Sequence, residues 1–249
     1  MEDMLYLINL DDADARRASM AAQLRKLGLS SQRIGIDFRE AGRAQIDTWL
    51  ERRFPGIAFD HGNVSSAEIG CWVSHLTAWH ALASSEDAVA CTVLEDDLAL
   101  DPALPEAMGL LSRAPACDLV FLGTSSRNVS TRHRLPAGSF HLHRPLGTIY
   151  NTWGYVVSRA WVREFFAAAP WRLDRPIDHY TGGSRAGAVK PRIAVLRPAV
   201  VSEDPELGVD SQIEPYTYRI DRARLVEAAR RRIIASRVSA FYYKLYEYL

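Results

Sequence analysis

Three adjacent carboxylates, Glu95, Asp96 and Asp97, directly follow the apolar run from Val89 to Leu94. Like charges this close raise one another's pKa unless a cation or a hydrogen-bond donor offsets them. One candidate is a hard divalent cation, which takes oxygen ligands and completes its shell with substrate phosphates. The other reading is bland: hydrated loop acids that help to cap the next helix. A fourth carboxylate, Asp178 in "RPIDHY", offers a general base, or else a helix-capping Asp after Pro176. His75 lies one helical turn from both Trp72 and Trp79, which suits a hydrogen-bonded core histidine or a site-lining one. Trp153 and Tyr155 flank Gly154, a pattern that fits a sugar face packed on aromatic rings or a buried bend filled by them.

These groups need elements to hold them. "MLYLINL" (4–10) reads as a buried first strand, followed by a helix opened by acids and closed around Gly28. "RIGID" (33–37) is a second strand, and residues 41–54 form a polar helix stopped at Pro55. Ile69, Trp72, Val73, Leu76 and Trp79 recur at helical spacing, with Ser65 and Glu68 as a capping box. Residues 89–94 form a buried strand, so the acidic triplet sits on a strand-end loop, and Asp101-Pro102 opens the next helix. "CDLVFLG" (117–123), "GYVVS" (154–158) and "RIAVLRPAVV" (192–201) are further strands, with a helix from Arg159 stopped at Pro170. The polar stretch 124–138, with Arg127, Arg132, His133 and Arg134, reads as a long loop, serving as a lid or acceptor loop or simply as surface. Strands alternating with helices predict an α/β fold with a mainly parallel sheet, whose ligands bind beyond the strand carboxyl ends.

Composition narrows the field. The chain has 249 residues, 48% of them hydrophobic, enough for one full-sized core. Lys+Arg and Asp+Glu both number 30, which argues against a nucleic-acid-coating protein. Cys71, Cys91 and Cys117 have apolar neighbours and no CxxC spacing, as expected of reduced core thiols in the cytosol. The amino terminus lacks the pattern of a signal peptide, and no stretch approaches the roughly 18 apolar residues of a membrane span. A cytoplasmic protein, soluble or peripheral on the inner face of the membrane, is expected.

Motif absences remove several enzyme classes. There is no GxxxxGK[ST] loop, no GxGxxG after the first strand and no GxSxG elbow. The triplet is one form of the D-x-D pattern of nucleotide-sugar enzymes. A metal-dependent phosphotransferase or nucleotide-sugar hydrolase on the same acids, and a non-catalytic glycan-binding or scaffold protein, remain as alternatives.

Several segments in order resemble one family. "YLINLDDADARR" (6–17), "SSAEIGCWVSHLTAW" (65–79), "VLEDDLAL" (93–100), "GTIYNTWGYVVSRAW" (147–161) and "RPIDHY" (175–180) are similar to glycosyltransferase family 25, the bacterial lipooligosaccharide galactosyl- and glucosyltransferases and their collagen-modifying relatives. The resemblance implies a GT-A type, Rossmann-like nucleotide-sugar-binding fold, a UDP-hexose donor with galactose ahead of glucose, usually Mn²⁺, and inversion at the anomeric carbon. It implies that Asn9, Leu10 and Arg17 lie along the nucleotide, with Asp37 near the uridine. Asp97 would be the most direct metal ligand, and Glu95 and Asp96 would face the ribose or the metal's waters. Ser74 and His75 would line the site, and His179 could join the metal shell.

Residues 1–215 would form the transferase domain and 216–249 a helical carboxyl-terminal extension. In that extension Arg230, Arg231 and Arg232 precede closely spaced Tyr and Phe residues. Such a segment can rest on an anionic membrane surface, suiting a lipid-linked oligosaccharide acceptor, or dock on its own domain or a second subunit.

Overall fold

A computed structural model describes residues 4–113, 116–125, 129–182 and 189–207, the side chains of Thr131 and His133 excepted. In chain order the elements are β1 (Met4–Ile8), α1 (Asp14–Lys26), β2 (Gln32–Ile34), α2 (Arg43–Arg53), β3 (Ile57–Phe59), α3 (Ser66–Ser84), β4 (Ala90–Leu94), β5 (Leu98–Leu100) and α4 (Leu104–Arg113). They continue with β6 (Leu119–Phe121), β7 (Val129–Ala137), β8 (Phe140–Pro145), β9 (Gly154–Ser158), α5 (Arg159–Ala167), β10 (Trp171–Leu173), α6 (Ile177–Thr181), β11 (Ile193–Arg197) and β12 (Val201–Glu203).

The central sheet has eight strands in the order β2-β1-β4-β9-β6-β11-β8-β7. β1 pairs in parallel with β2 and β4, and β6 with β11, while β9 and β8 run against their neighbours. Six of the eight strands therefore share one direction, the mostly parallel α/β architecture that the alternating pattern predicts. Side chains alternate across each strand, and the two faces gather two cores. Cys91, Val93, Tyr155 and Val157 face α2, α3 and α5. Ala90, Leu94 and Val156 face α1 and α4.

Helix α3 anchors the first core. Its capping box is complete: Glu68 N–H donates to Ser65 Oγ at 3.2 Å and Ser65 N–H to Glu68 Oε2 at 2.7 Å. Such a cap contributes on the order of 1 kcal/mol. Trp72, Val73, Leu76 and Trp79 are fully buried, each contributing on the order of 2 kcal/mol through apolar area removed from water.

Three differences from the sequence reading matter. First, the stretch 124–138 is largely not a loop: β7 and β8 form an antiparallel hairpin, turning at Gly138, whose φ is +60°. β7 is the edge strand, so arginines and Pro136 are tolerated there, and they mask the strand pattern. Second, the strand expected over 33–37 ends at Ile34. Third, β3, β5, β10 and β12 pair only as short two-stranded ribbons, β10 with β3 and β12 with β5, too brief to show a period. No helix among the described residues is long and apolar enough to cross a membrane. The three cysteines are unpaired. The extension expected over 216–249, including Arg230, Arg231 and Arg232, lies outside the described residues.

Candidate active site

The acidic triplet leaves the carboxyl end of β4, where the ladder with β9 runs one residue further through Glu95 N–H to Trp153 C=O at 2.8 Å. Beyond it the three side chains diverge. Glu95 turns toward α3: its Oε1 accepts the Thr152 hydroxyl and lies 3.6 Å from His75 Nε2. Asp96 turns toward the first strand and helix, accepting Asn9 Nδ2 at 2.7 Å and Arg16 Nη1 at 3.2 Å. The ion pair of Asp97 with Arg16 Nη1 is long, at 3.9 Å.

Arg16 and Asn9 are thus what stands opposite the triplet. Asn9 occupies the carboxyl end of β1 and is almost completely buried. Arg16 sits on α1 four residues before Met20 and eight before Leu24, both buried, so helical spacing puts it on the inward face. Arg17, one residue on, turns outward to Asp14 and the Asp11 carbonyl. The cation at the triplet is therefore Arg16, and Arg17, expected along the nucleotide, points away from it. The phase of Met20 and Leu24 is the sequence signal that distinguishes the two arginines. Leu10 uses its carbonyl to start the turn into α1, accepting Ala13 N–H at 3.2 Å.

Burial is the main reason that the Asp97 pKa is pushed up to about 6; Glu95 and Asp96 add to the shift and Arg16 opposes it. Asp178, on the first turn of α6, is likewise raised by burial, opposed by His179 and by N–H donors from Asn151 and His179, with Glu95 adding to the rise. Oxygen atoms of three of these groups, Asn9 Oδ1, Asp97 Oδ1 and Asp178 Oδ1, are buried with no hydrogen-bond partner among the described residues. Hard oxygen donors left in this state fit a divalent cation and polar substrate groups better than they fit an apolar core.

Other expected residues take different places. Tyr155 is completely buried and cannot pack against a sugar; its hydroxyl meets His75 Nδ1 and Trp79 Nε1 instead. Gly154 does not open a path to a ligand: a Cβ there would lie 2.8 Å from Leu94 and 3.2 Å from Val201, so the glycine serves strand packing. Trp153 packs on the core beneath α1 and α4. Ser74 is also buried. Its Oγ donates to the Gly70 carbonyl and accepts Ile36 N–H, tying the segment after β2 to α3, so it does not line the site. Asp37 lies on that segment with its carboxylate held by Arg39, which keeps its pKa below the usual range and also reaches Asp12. His179 packs edge-on against Tyr150, ring centroids 5.4 Å apart, and does not converge with Asp97 and Glu95 as a trio. Among the described residues the close trio of metal-ligand types is Cys71, His75 and Glu95, whose donor atoms lie within 4.8 Å of one another. The sequence pattern gives no site role to Thr152 or Arg16 and reads Cys71 as a core thiol. Thr152 and Cys71 reach Glu95 through tertiary packing.

A family model described as glycosyltransferase family 25 (LPS biosynthesis protein) matches residues 2–132, which include β1, α1, α3 and the acidic triplet. The chain belongs to glycosyltransferase family 25. Its family 25 relatives include a "Glycosyltransferase 25 family member" of Drosophila pseudoobscura pseudoobscura, 26% identical over 72% of this chain and 29% of the relative. "Procollagen galactosyltransferase 2" of Mus musculus is 22% identical over 72% of this chain and 29% of its own length. "Probable inactive glycosyltransferase 25 family member 3" of Rattus norvegicus is 22% identical over 72% of this chain and 32% of its own. The chain spans about a third or less of the length of these family 25 relatives. The mostly parallel α/β sheet is consistent with a Rossmann-like glycosyltransferase fold.

Proposed function

We propose that this protein is a metal-dependent inverting glycosyltransferase that moves a hexose, galactose before glucose, from a UDP-sugar to a lipooligosaccharide or related glycan. The observation that carries this reading is the set of buried oxygens of Asn9, Asp97 and Asp178 that have no hydrogen-bond partner among the described residues. The family's description as an LPS biosynthesis protein supports the glycan acceptor, and the galactosyltransferase name of the mouse relative supports galactose as the sugar.

Asp97 would be the direct ligand of a divalent ion such as Mn²⁺, with Glu95 and Asp96 facing the ribose or the ion's waters. When bound, that ion supplies charge neutralisation for the departing diphosphate. The chain's own residues do the remainder. Arg16 and Asn9 hold the Asp96 carboxylate in place, so that the loop is organised before substrate arrives. Asp178 takes the proton of the acceptor hydroxyl; burial, by raising its pKa, makes it a stronger base than an exposed aspartate.

The test is a thermal shift with UDP, run with Mn²⁺ and again with EDTA. Ligand at about a hundred times its dissociation constant stabilises the fold by roughly 2.7 kcal/mol. A Mn²⁺-dependent rise in Tm is expected, followed by sugar transfer in a donor screen. No shift in either condition would overturn the reading, and binding without turnover on any donor would favour a non-catalytic glycan-binding role.

A further inference from the structure

The Tyr155 hydroxyl, completely buried behind the acidic loop, has two hydrogen-bond partners among the described residues: Trp79 Nε1 at 2.9 Å and His75 Nδ1 at 2.8 Å. An indole N–H donates and accepts nothing. The Tyr155 oxygen therefore accepts from Trp79, and its own buried proton has His75 Nδ1 as its one acceptor among the described residues; the alternative, Nδ1–H donating to the same oxygen, would leave that proton unsatisfied. A neutral imidazole that accepts at Nδ1 carries its hydrogen on Nε2. That Nε2 is buried, has no closer partner, and faces Glu95 Oε1 at 3.6 Å. Trp79, Tyr155 and His75 thus each direct a donor the same way, from the core toward Glu95, the last of them across 3.6 Å.

We propose that Trp79, Tyr155 and His75 form a directional hydrogen-bond relay in which His75 is a positioning residue for Glu95. Together with Thr152 it fixes Oε1 and so presents the second carboxylate oxygen, which accepts no hydrogen bond among the described residues, to the nucleotide sugar or its ion. The inference rests on reading the acidic loop as the donor site. Polar side chains in an apolar core are costly unless they are satisfied; this direction satisfies the Trp79 indole, the Tyr155 hydroxyl and His75 Nδ1, and leaves the Nε2–H facing the Glu95 carboxylate at 3.6 Å, an electrostatic contact just beyond hydrogen-bond length. The same donor count decides how Cys71 is used. A metal on Cys71, His75 and Glu95 would need a bare Nε2, and the Tyr155 proton would then have no acceptor in the core.

The first measurement is the His75 tautomer in protein labelled with ¹⁵N-histidine, by long-range ¹H–¹⁵N correlation, with His75→Gln identifying its signals among the seven histidines. The wild type is expected to show the Nε2–H form, and Tyr155→Phe a shift toward Nδ1–H. The second is calorimetric UDP affinity in Mn²⁺. His75→Ala is expected to weaken it about 10-fold, the scale on which outer-shell partners act, while His75→Gln, which keeps a donor near Nε2, restores it. An Nδ1–H tautomer in a wild type that binds UDP, stoichiometric Zn²⁺ bound through Cys71 and His75, or unchanged UDP affinity in folded His75→Ala would each overturn the relay. A wild type with the Nε2–H form that binds no UDP would instead remove the donor-site reading, and the positioning role with it.

Discussion

Arg16 and Asp96 meet across eighty residues of sequence, Nη1 lying 3.2 Å from Oδ1 with both side chains mostly buried. This pair joins α1 to the loop after β4. Asn9 reinforces it from the end of β1 on the other oxygen of the same carboxylate. One neighbour of Asp96 in the triplet, Asp97, is left with a weak pair and a raised pKa.

Arg16 and Arg17 should therefore behave differently. Removing one partner of a largely buried pair leaves an uncompensated charge, so Arg16→Ala is expected to cost on the order of 3 kcal/mol. Arg17→Ala, at an exposed pair, should change stability by less than about 1 kcal/mol. Urea unfolding of the two variants measures the contrast, and equal losses would contradict it.

Asp97 sets a pH dependence. Its folded pKa, about 6, lies above the ordinary aspartate value, so the folded state prefers the protonated form. This acid therefore costs no stability below the unfolded pKa near about 4, and an increasing amount as pH rises from there to about 6. In EDTA, Asp97→Asn is expected to raise Tm at pH 7.5 by several degrees, with the advantage vanishing near pH 4. A variant less stable than the wild type at pH 7.5 would show that the charge is better compensated than the structure indicates.

Asp178→Asn keeps the shape of the side chain and removes the base. Turnover should fall by at least about 100-fold, while Mn²⁺-dependent UDP binding stays within about 2-fold. Retained turnover would transfer the proton-abstracting role to another group.

Packing at the start of β9 gives a stability test with an internal control. A methyl group at Gly154 meets Leu94 at 2.8 Å and Val201 at 3.2 Å, so Gly154→Ala should cost about 1–3 kcal/mol by overpacking. A methyl group at Gly109 in α4 would meet nothing within 4 Å among the described residues. Gly109→Ala should stabilise by about 0.4–1 kcal/mol by restricting the unfolded chain. Thermal unfolding of both variants reads the opposite signs.

Local patterns determined much of this protein by themselves. The capping box and the five apolar residues at helical spacing specified α3, the apolar run from Val89 put the triplet at a strand end, and the ordered motifs pointed to the family. Each of these signals is carried by neighbours in sequence, through backbone periodicity and short-range hydrogen bonds. Tertiary structure decided which way each side chain turned. Tyr155 and Ser74 look the same in sequence whether they line a cleft or fill a core, and only the packing of β9 and the segment after β2 against α3 buries them. Strand β7 escaped the sequence reading because an edge strand needs no alternating apolar face. The partners of the triplet escaped it because Arg16, Thr152 and His75 reach the acids from up to eighty residues away. A contact of that separation leaves no local period to read; it forms when the sheet brings the ends of β1 and β4 and the start of β9 together.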